Sequence, residues 1–210
     1  MQGSGAVVST NALGGFVLTA QHVCESMDES DELLSMITLL VLGGKKKNKT
    51  VKLDRKIKVI SHRGQTAIAD VLVEDEGLDA CLLFAENLQE KPLKRYYGKL
   101  TIGQRYYNIA SPVDIADPGM VPLLEGRYIG NRTKLIAAFT IPAAGGSSGS
   151  AIVDSSGRLV GLLHSTTRGF NHVSYASDIS LLNKFIDDNM TIYHDKWYQN
   201  MLKLTRPKTN

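Results

Sequence analysis

Short apolar runs, each closed by glycine, asparagine or charged turn residues, recur through most of the chain, and that rhythm admits strands and little else. The runs fall into two groups. The first covers residues 5–9, 16–20, 36–42, 50–60, 66–73 and 79–85; the second covers 105–110, 121–129, 135–141, 150–154, 159–164 and 173–176. About twelve strands at this spacing predict two packed barrels or sandwiches. The polar stretch 86–99, with Pro92 inside it, reads as the seam. We therefore expect one β-rich domain over residues 1–90, a second over 91–178 and a helical tail over 179–210. In that tail, Ile179-Ser-Leu-Leu-Asn-Lys-Phe-Ile186 carries apolar residues at helical spacing behind Asp178, a good N-cap. Residues 194–204 read as a second helical segment.

A chain of 210 residues with 43% apolar and 21% charged content can bury a full core, and its composition excludes the disordered and fibrous classes. The net charge of +3 is small, and Lys45-Lys-Lys-Asn-Lys49 reads as a solvated hairpin tip, so nucleic acid is not an expected partner. No apolar run reaches the ~18 residues of a membrane helix, so no membrane partner is expected either. Met1-Gln-Gly-Ser-Gly5 lacks the regions of a signal peptide, which favours a cytoplasmic location over secretion. Two cysteines, Cys24 and Cys81, are few for a secreted domain, and both are expected to be reduced and buried. Oligomeric state leaves no mark in the sequence.

Chemistry concentrates in Ala144-Gly-Gly-Ser-Ser-Gly-Ser-Ala-Ile-Val153. Taken alone, this is either a flexible loop of small residues or a turn that presents a nucleophile. An attacking hydroxyl needs a tight turn whose backbone N–H groups face the developing oxyanion, and glycine permits that shape. On the second reading Ser148 attacks, and the N–H groups of Gly146 and Ser148 form the oxyanion hole. A serine hydroxyl is weak without a base to take its proton. Of the five histidines, His22, His62, His164, His172 and His194, only His22 closes an apolar run, Gly15-Phe-Val-Leu-Thr-Ala-Gln-His-Val23. A carboxylate must then fix the imidazole tautomer and stabilise the imidazolium. Asp79, which opens Ala80-Cys-Leu-Leu-Phe84, is the first candidate, and Asp70, inside a strand, is the second. Glu74, Asp75 and Glu76 fall in a polar turn and read as solvated.

Thr19-Ala-Gln-His-Val23, Leu78-Asp-Ala-Cys-Leu-Leu83 and Gly146-Ser-Ser-Gly-Ser150 together resemble the three signature blocks of trypsin-like peptidases. Gly3-Ser-Gly-Ala-Val-Val8, Asn108-Ile-Ala-Ser-Pro112 and Gly157-Arg-Leu-Val-Gly161 are similar to the HtrA (Deg) branch and its viral relatives. The resemblance runs from Gly3 to Ile186. It implies an all-β, chymotrypsin-like fold of two six-stranded antiparallel barrels with a C-terminal helix, and an active site in the cleft between the barrels. It also implies hydrolysis of a polypeptide substrate through an acyl-enzyme, with no metal and no organic cofactor. In it His22 is the general base, Asp79 its orienting partner, Ser148 the nucleophile, and Gly146 with Ser148 the oxyanion hole.

The same resemblance places the strand over 162–166 along the substrate channel, where it pairs with the peptide backbone and brings up His164, Ser165 and Thr166. Pro142 and Ala143 approach the pocket for the side chain that precedes the cut bond. No acidic residue falls there, so small or medium apolar side chains are expected rather than Arg or Lys. Some viral members use a histidine on this strand to read glutamine. Gly161-Leu-Leu-His164 is one residue longer than their Gly-x-His pattern, and a one-residue shift turns a strand side chain to the other face. Leaning toward Asp79, or standing in the wall, is therefore the favoured role for His164.

Two departures narrow the branch. Secreted members usually carry a cysteine directly after the catalytic histidine, whereas here Val23 holds that place and Cys24 follows with no obvious partner. Ser147 stands where zymogen-activated members have aspartate, so activation by a newly buried N-terminal amine is not expected. Two other function classes are compatible with such a chain. A catalytically silent member acting as a protein-binding module is disfavoured by the intact trio. An RNA-binding protein, motivated by the lysine run with Arg127 and Arg132, is the weaker of the two.

Overall fold

The computed structural model describes residues 2–25, 56–115 and 117–205. The expected strand over 36–42, the first part of the run over 50–60 and the lysine-rich hairpin tip lie outside the described residues. In the first half, β1 (Ala6–Asn11), β2 (Gly14–Thr19), β3 (Lys56–Ile60), β4 (Thr66–Asp75) and β5 (Ala80–Glu86) form an antiparallel sheet in the order β1-β2-β5-β4-β3. The most continuous apolar runs became the central strands. Every residue of β2 is buried, as is all of β5 except Glu86, and the two pair in unbroken register from Gly14↔Glu86 to Thr19↔Cys81. Strands covered on both faces lose the alternation that β4 keeps at its start, where Thr66, Ile68 and Asp70 are exposed between buried Ala67 and Ala69.

In the second half, β6 (Arg105–Ile109), β7 (Leu123–Asn131), β8 (Ile136–Phe139), β9 (Ala151–Val153), β10 (Leu159–Thr167) and β11 (Phe170–Asp178) close into a barrel, in the order β10-β11-β8-β7-β6-β9. The expectation of two six-stranded barrels is thus met once. Among the described residues the first half is a five-stranded open sheet, with β1 and β3 as its edges.

Two helical elements change the reading from sequence. The short helix α1 (Gln21–Glu25) follows β2 and was hidden in what reads as a strand end. The tail is one helix, α2 (Ile179–Thr205), rather than two segments, because no glycine or proline interrupts the chain between Ile186 and His194. Asp178 caps it as expected: its Oδ1 accepts the Ser180 N–H at 2.9 Å. The helix is part of the core. Leu182, Phe185 and Ile186 pack with Phe16, Leu82 and Phe84 from the first sheet and with Val153, Leu159 and Leu162 from the barrel. Two turns further on, Tyr193 meets Phe16 and Phe84 at centroid distances of 5.1 and 5.4 Å. Each buried side chain of this size contributes about 1.5–3 kcal/mol, so this shared cluster holds the two halves in one arrangement. Among the described residues no helix is long and apolar enough to cross a membrane.

Candidate active site

His22 lies in α1, just past the end of β2. Asp79 ends the turn that joins β4 to β5, where Leu78 N donates to Asp75 Oδ1 at 3.0 Å and Asp79 N to Glu76 O at 3.3 Å. Asp75 therefore holds the turn and is not merely solvated. From the barrel side, Ser177 Oγ of β11 donates to Leu78 O at 2.5 Å. Asp79 has φ 48°, a left-handed conformation that aspartate adopts more readily than bulkier residues. This geometry turns its carboxylate onto His22. Oδ1 accepts the His22 backbone N–H at 3.0 Å, and Oδ2 lies 2.8 Å from the ring Nδ1.

A carboxylate can only accept, so Nδ1 carries the proton and Nε2 is left as the basic nitrogen of the neutral ring. The hydrogen bond to Asp79 raises the His22 pKa, and partial burial offsets only part of that rise. For Asp79, burial pushes the carboxyl up, but the hydrogen bonds from the His22 ring and backbone outweigh it and the net shift is down. Asp70, the second candidate, is exposed on β4 and pairs there with Lys56 and Phe84.

Cys24 and Cys81 form a disulfide, which overturns the expectation of two reduced thiols. Both are fully buried, as expected. The pairing was not legible because α1 was not: the helix turn carries Cys24 over β5, where Cys81 waits. Cys24, Cys81 and Glu74 are the one group of three potential metal ligands among the described residues, with ligand atoms within 4.8 Å of one another. Metal binding needs thiolates, which the disulfide removes.

The serine-glycine segment forms a compact turn between β8 and β9. Ser147 is fully buried and ties the turn to itself: its N–H donates to Ala144 O at 3.0 Å, its Oγ accepts Ala144 N–H at 3.2 Å, and its carbonyl accepts Ser150 N–H at 3.1 Å. Gly146 sits at φ +89°, and a Cβ there would stand 2.4 Å from Ser111 O, so only glycine fits. The Gly145 carbonyl accepts the Val113 N–H at 2.7 Å. Among the described residues, neither the Gly146 nor the Ser148 N–H donates to a protein acceptor.

Ser148 is half-buried, and its Oγ donates to the His164 carbonyl at 3.4 Å rather than to His22. His164 is the bulge residue of β10, since the β10–β11 register shifts between Leu163↔Ala176 and Ser165↔Tyr175. The bulge sets which way its ring faces. Nδ1 lies 3.9 Å from Asp79 Oδ2 and 3.0 Å from Ser165 Oγ, and burial holds its pKa down. His164 thus touches Ser148 with its backbone and approaches Asp79 with its ring, which puts the serine turn and the His22–Asp79 pair in one neighbourhood.

The β9 partner of β10 ends at Ala151↔Leu162, so Ser165 and Thr166 are paired only on the β11 side, with Tyr175 and Ser174. Pro142 and Ala143 lead from β8 into the serine turn; Ala143 is buried and its N–H donates to Asn171 O at 3.0 Å. Sequence reasoning assigned no function to Ser4, Ser147 or Ser177, which hold this site from behind. The only signal for Ser4 was its place in Gly3-Ser-Gly-Ala-Val-Val8.

A closed antiparallel barrel, a second sheet packed beside it and a His–Asp pair next to a Gly-Ser turn define a peptidase-like architecture. The family profile of the trypsin-like peptidase domain matches residues 3–162, and the chain belongs to that family. Among solved structures, a serine endoprotease from Yersinia pestis is similar over 90% of this chain and 57% of its own, with TM-score 0.66 and 17% identity. The HtrA-type protease AlgW, solved with a decapeptide, is similar over 90% of this chain and 52% of its own, with TM-score 0.67 and 18% identity. The chain spans a little over half the length of these structures. No curated protein sequence matches it.

Proposed function

We propose that the protein is a serine endopeptidase in which His22, Asp79 and Ser148 act as a triad on polypeptide substrates. The observation that carries this reading is the two-point grip of His22 on Asp79, through the backbone N–H at 3.0 Å and the ring at 2.8 Å. That grip leaves Nε2 basic and aimed away from the carboxylate. In the reaction Ser148 Oγ exchanges the His164 carbonyl for it; such contacts tighten when substrate binds.

In the reaction Ser148 Oγ attacks the substrate carbonyl carbon while His22 Nε2 takes the hydroxyl proton. The oxyanion faces the N–H groups of Gly146 and Ser148, whose lack of a protein acceptor among the described residues supports that role. Collapse breaks the C–N bond, and the leaving amine takes the proton from His22. Water then attacks the acyl-enzyme by the same route, with His22 again as base, and Ser148 is released with its proton.

The unpaired side of Ser165 and Thr166 suits an added strand from the substrate. The His164 ring, held against Asp79, belongs to the wall behind the triad, and its backbone faces the channel. Pro142 and Ala143 frame an apolar pocket for the residue before the cut bond. The two halves form domains over 1–90 and 91–178, with the tail over 179–210. The test is hydrolysis of an unfolded protein by the wild type and by Ser148→Ala, with folding of both checked by circular dichroism. Cleavage that survives in Ser148→Ala at the wild-type rate refutes the reading.

A further inference from the structure

Ser4 is half-buried near the start of the chain, and every polar atom it owns is engaged at long sequence distance. Its N–H donates to Ser148 O at 2.8 Å, and its Oγ donates to Gly146 O at 2.8 Å. The same Oγ accepts the Ser111 N–H at 3.0 Å. Its carbonyl accepts Thr19 Oγ1 at 2.7 Å. One residue therefore joins the serine turn, the loop at Ser111 and the strand that leads to His22. The fit is close: a Cβ on Gly149 would stand 2.3 Å from Ser4 O and 2.2 Å from Thr19 Oγ1.

We propose that Ser4 is a positioning residue for the oxyanion hole, acting through the carbonyls of Gly146 and Ser148 and through Ser111. This rests on the reading of Ser148 as nucleophile. A trans peptide points its C=O and the following N–H in opposite directions, so the Gly146 N–H is aimed by the anchor on Gly145 O, while the Ser148 N–H lies on the peptide between the two whose carbonyls, Gly146 O and Ser148 O, Ser4 holds. Three outward carbonyls of the turn are held: Gly145 O by Val113 N, Gly146 O by Ser4 Oγ and Ser148 O by Ser4 N. Val113 is two residues from Ser111, whose N–H Ser4 Oγ accepts, so Ser4 also holds the loop that carries the Gly145 anchor.

The Gly145-Gly146 pair has the greatest backbone freedom in the turn, and the Gly146 N–H is the donor most easily turned out of the hole. A serine hydroxyl can donate once and accept at the same time, and Ser4 uses both capacities. Alanine keeps the backbone bonds and loses both hydroxyl contacts, so it releases Gly146 and Ser111 together. Ser147 pins the turn from inside; Ser4 sets which way its glycines face. The contribution goes to the charge-bearing transition state, because the ground-state substrate uses the β10 edge instead.

The experiment compares wild type, Ser4→Ala, Ser4→Thr and Ser148→Ala by peptide hydrolysis and by affinity for a peptide boronate, which forms a tetrahedral adduct on serine. Ser4→Ala is expected to lower kcat by about 10–100-fold, below the ~10²–10³ reported for removing an oxyanion donor outright. KM should stay within about twofold, and boronate affinity should fall in parallel with kcat. Ser4→Thr, which keeps the hydroxyl, should recover most of the rate. If the wild type hydrolyses and Ser148→Ala does not, while Ser4→Ala keeps wild-type kcat, the role of Ser4 is refuted and the triad stands. A lower thermal midpoint with the ratio of boronate affinity to KM unchanged also refutes it, since Ser4 is then structural only. Ser4→Thr that folds yet matches Ser4→Ala in kcat does the same. Hydrolysis that does not depend on Ser148 overturns both readings at once.

Discussion

Cys24 on α1 is bonded to Cys81 on β5, each two residues beyond a member of the His22–Asp79 pair. The disulfide and the hydrogen bond therefore join the same two chain segments, and each spans 57 residues of sequence. The covalent link limits how far α1 can lift from β5, and with it how far the imidazole can move from its carboxylate.

Removing that link should cost stability and activity together. Closing a loop of this length is worth about 2–4 kcal/mol by chain entropy, or about 5–15 °C in Tm for a chain of this size. Cys24→Ala with Cys81→Ala, or incubation with a dithiol reductant, should lower the thermal midpoint by that amount and reduce hydrolysis. An unchanged midpoint in thermal unfolding would show that the bond contributes nothing.

The pH profile follows from the pKa directions. In the proposed reaction His22 is the base in its neutral form, and the Asp79 hydrogen bond raises its pKa from the ordinary 6.5, so kcat/KM should rise with pH along a limb centred above 6.5. Burial holds His164 below 6.5, so it has already lost its proton there and does not contribute to the limb. Asp79→Asn should move the limb to lower pH and reduce kcat by about 10³–10⁴-fold, and His164→Asn should leave the limb in place. A limb that shifts with His164→Asn would reassign the base.

The pocket proposed at Pro142 and Ala143 predicts which bonds are cut. Neither residue brings a negative charge, and Ala143 is buried. Profiling cleavage of a mixed peptide library should show small or medium apolar residues before the cut bond. Dominant cleavage after Arg or Lys would contradict this pocket assignment, and cleavage after Gln would return His164 to a reading role.

The strands were legible because apolar runs and turn residues are local signals, and β2 and β5 stood out because strands buried on both faces are apolar throughout. His22 and Asp79 were legible because each borders such a run. What escaped was set by contacts distant in sequence. Helix α1 is five residues long, too short to show periodicity, and without it the Cys24–Cys81 bond had no visible cause. Continuous α2 was missed because the polar residues 187–189 look like a break, although nothing in them stops a helix. The facing of His164 depends on a β-bulge, and the work of Ser4 on a fold that brings it beside residues 142 and 144 positions away. Neither has a local signature.

The proposed chemistry makes Ser148 the nucleophile and the His22–Asp79 pair its activator. Labelling with a fluorophosphonate, followed by intact-mass and peptide mapping, tests it directly. A single adduct on Ser148 is expected, absent in Ser148→Ala and strongly slowed in His22→Ala. No adduct on the folded wild type, or an adduct that persists in Ser148→Ala, would contradict it.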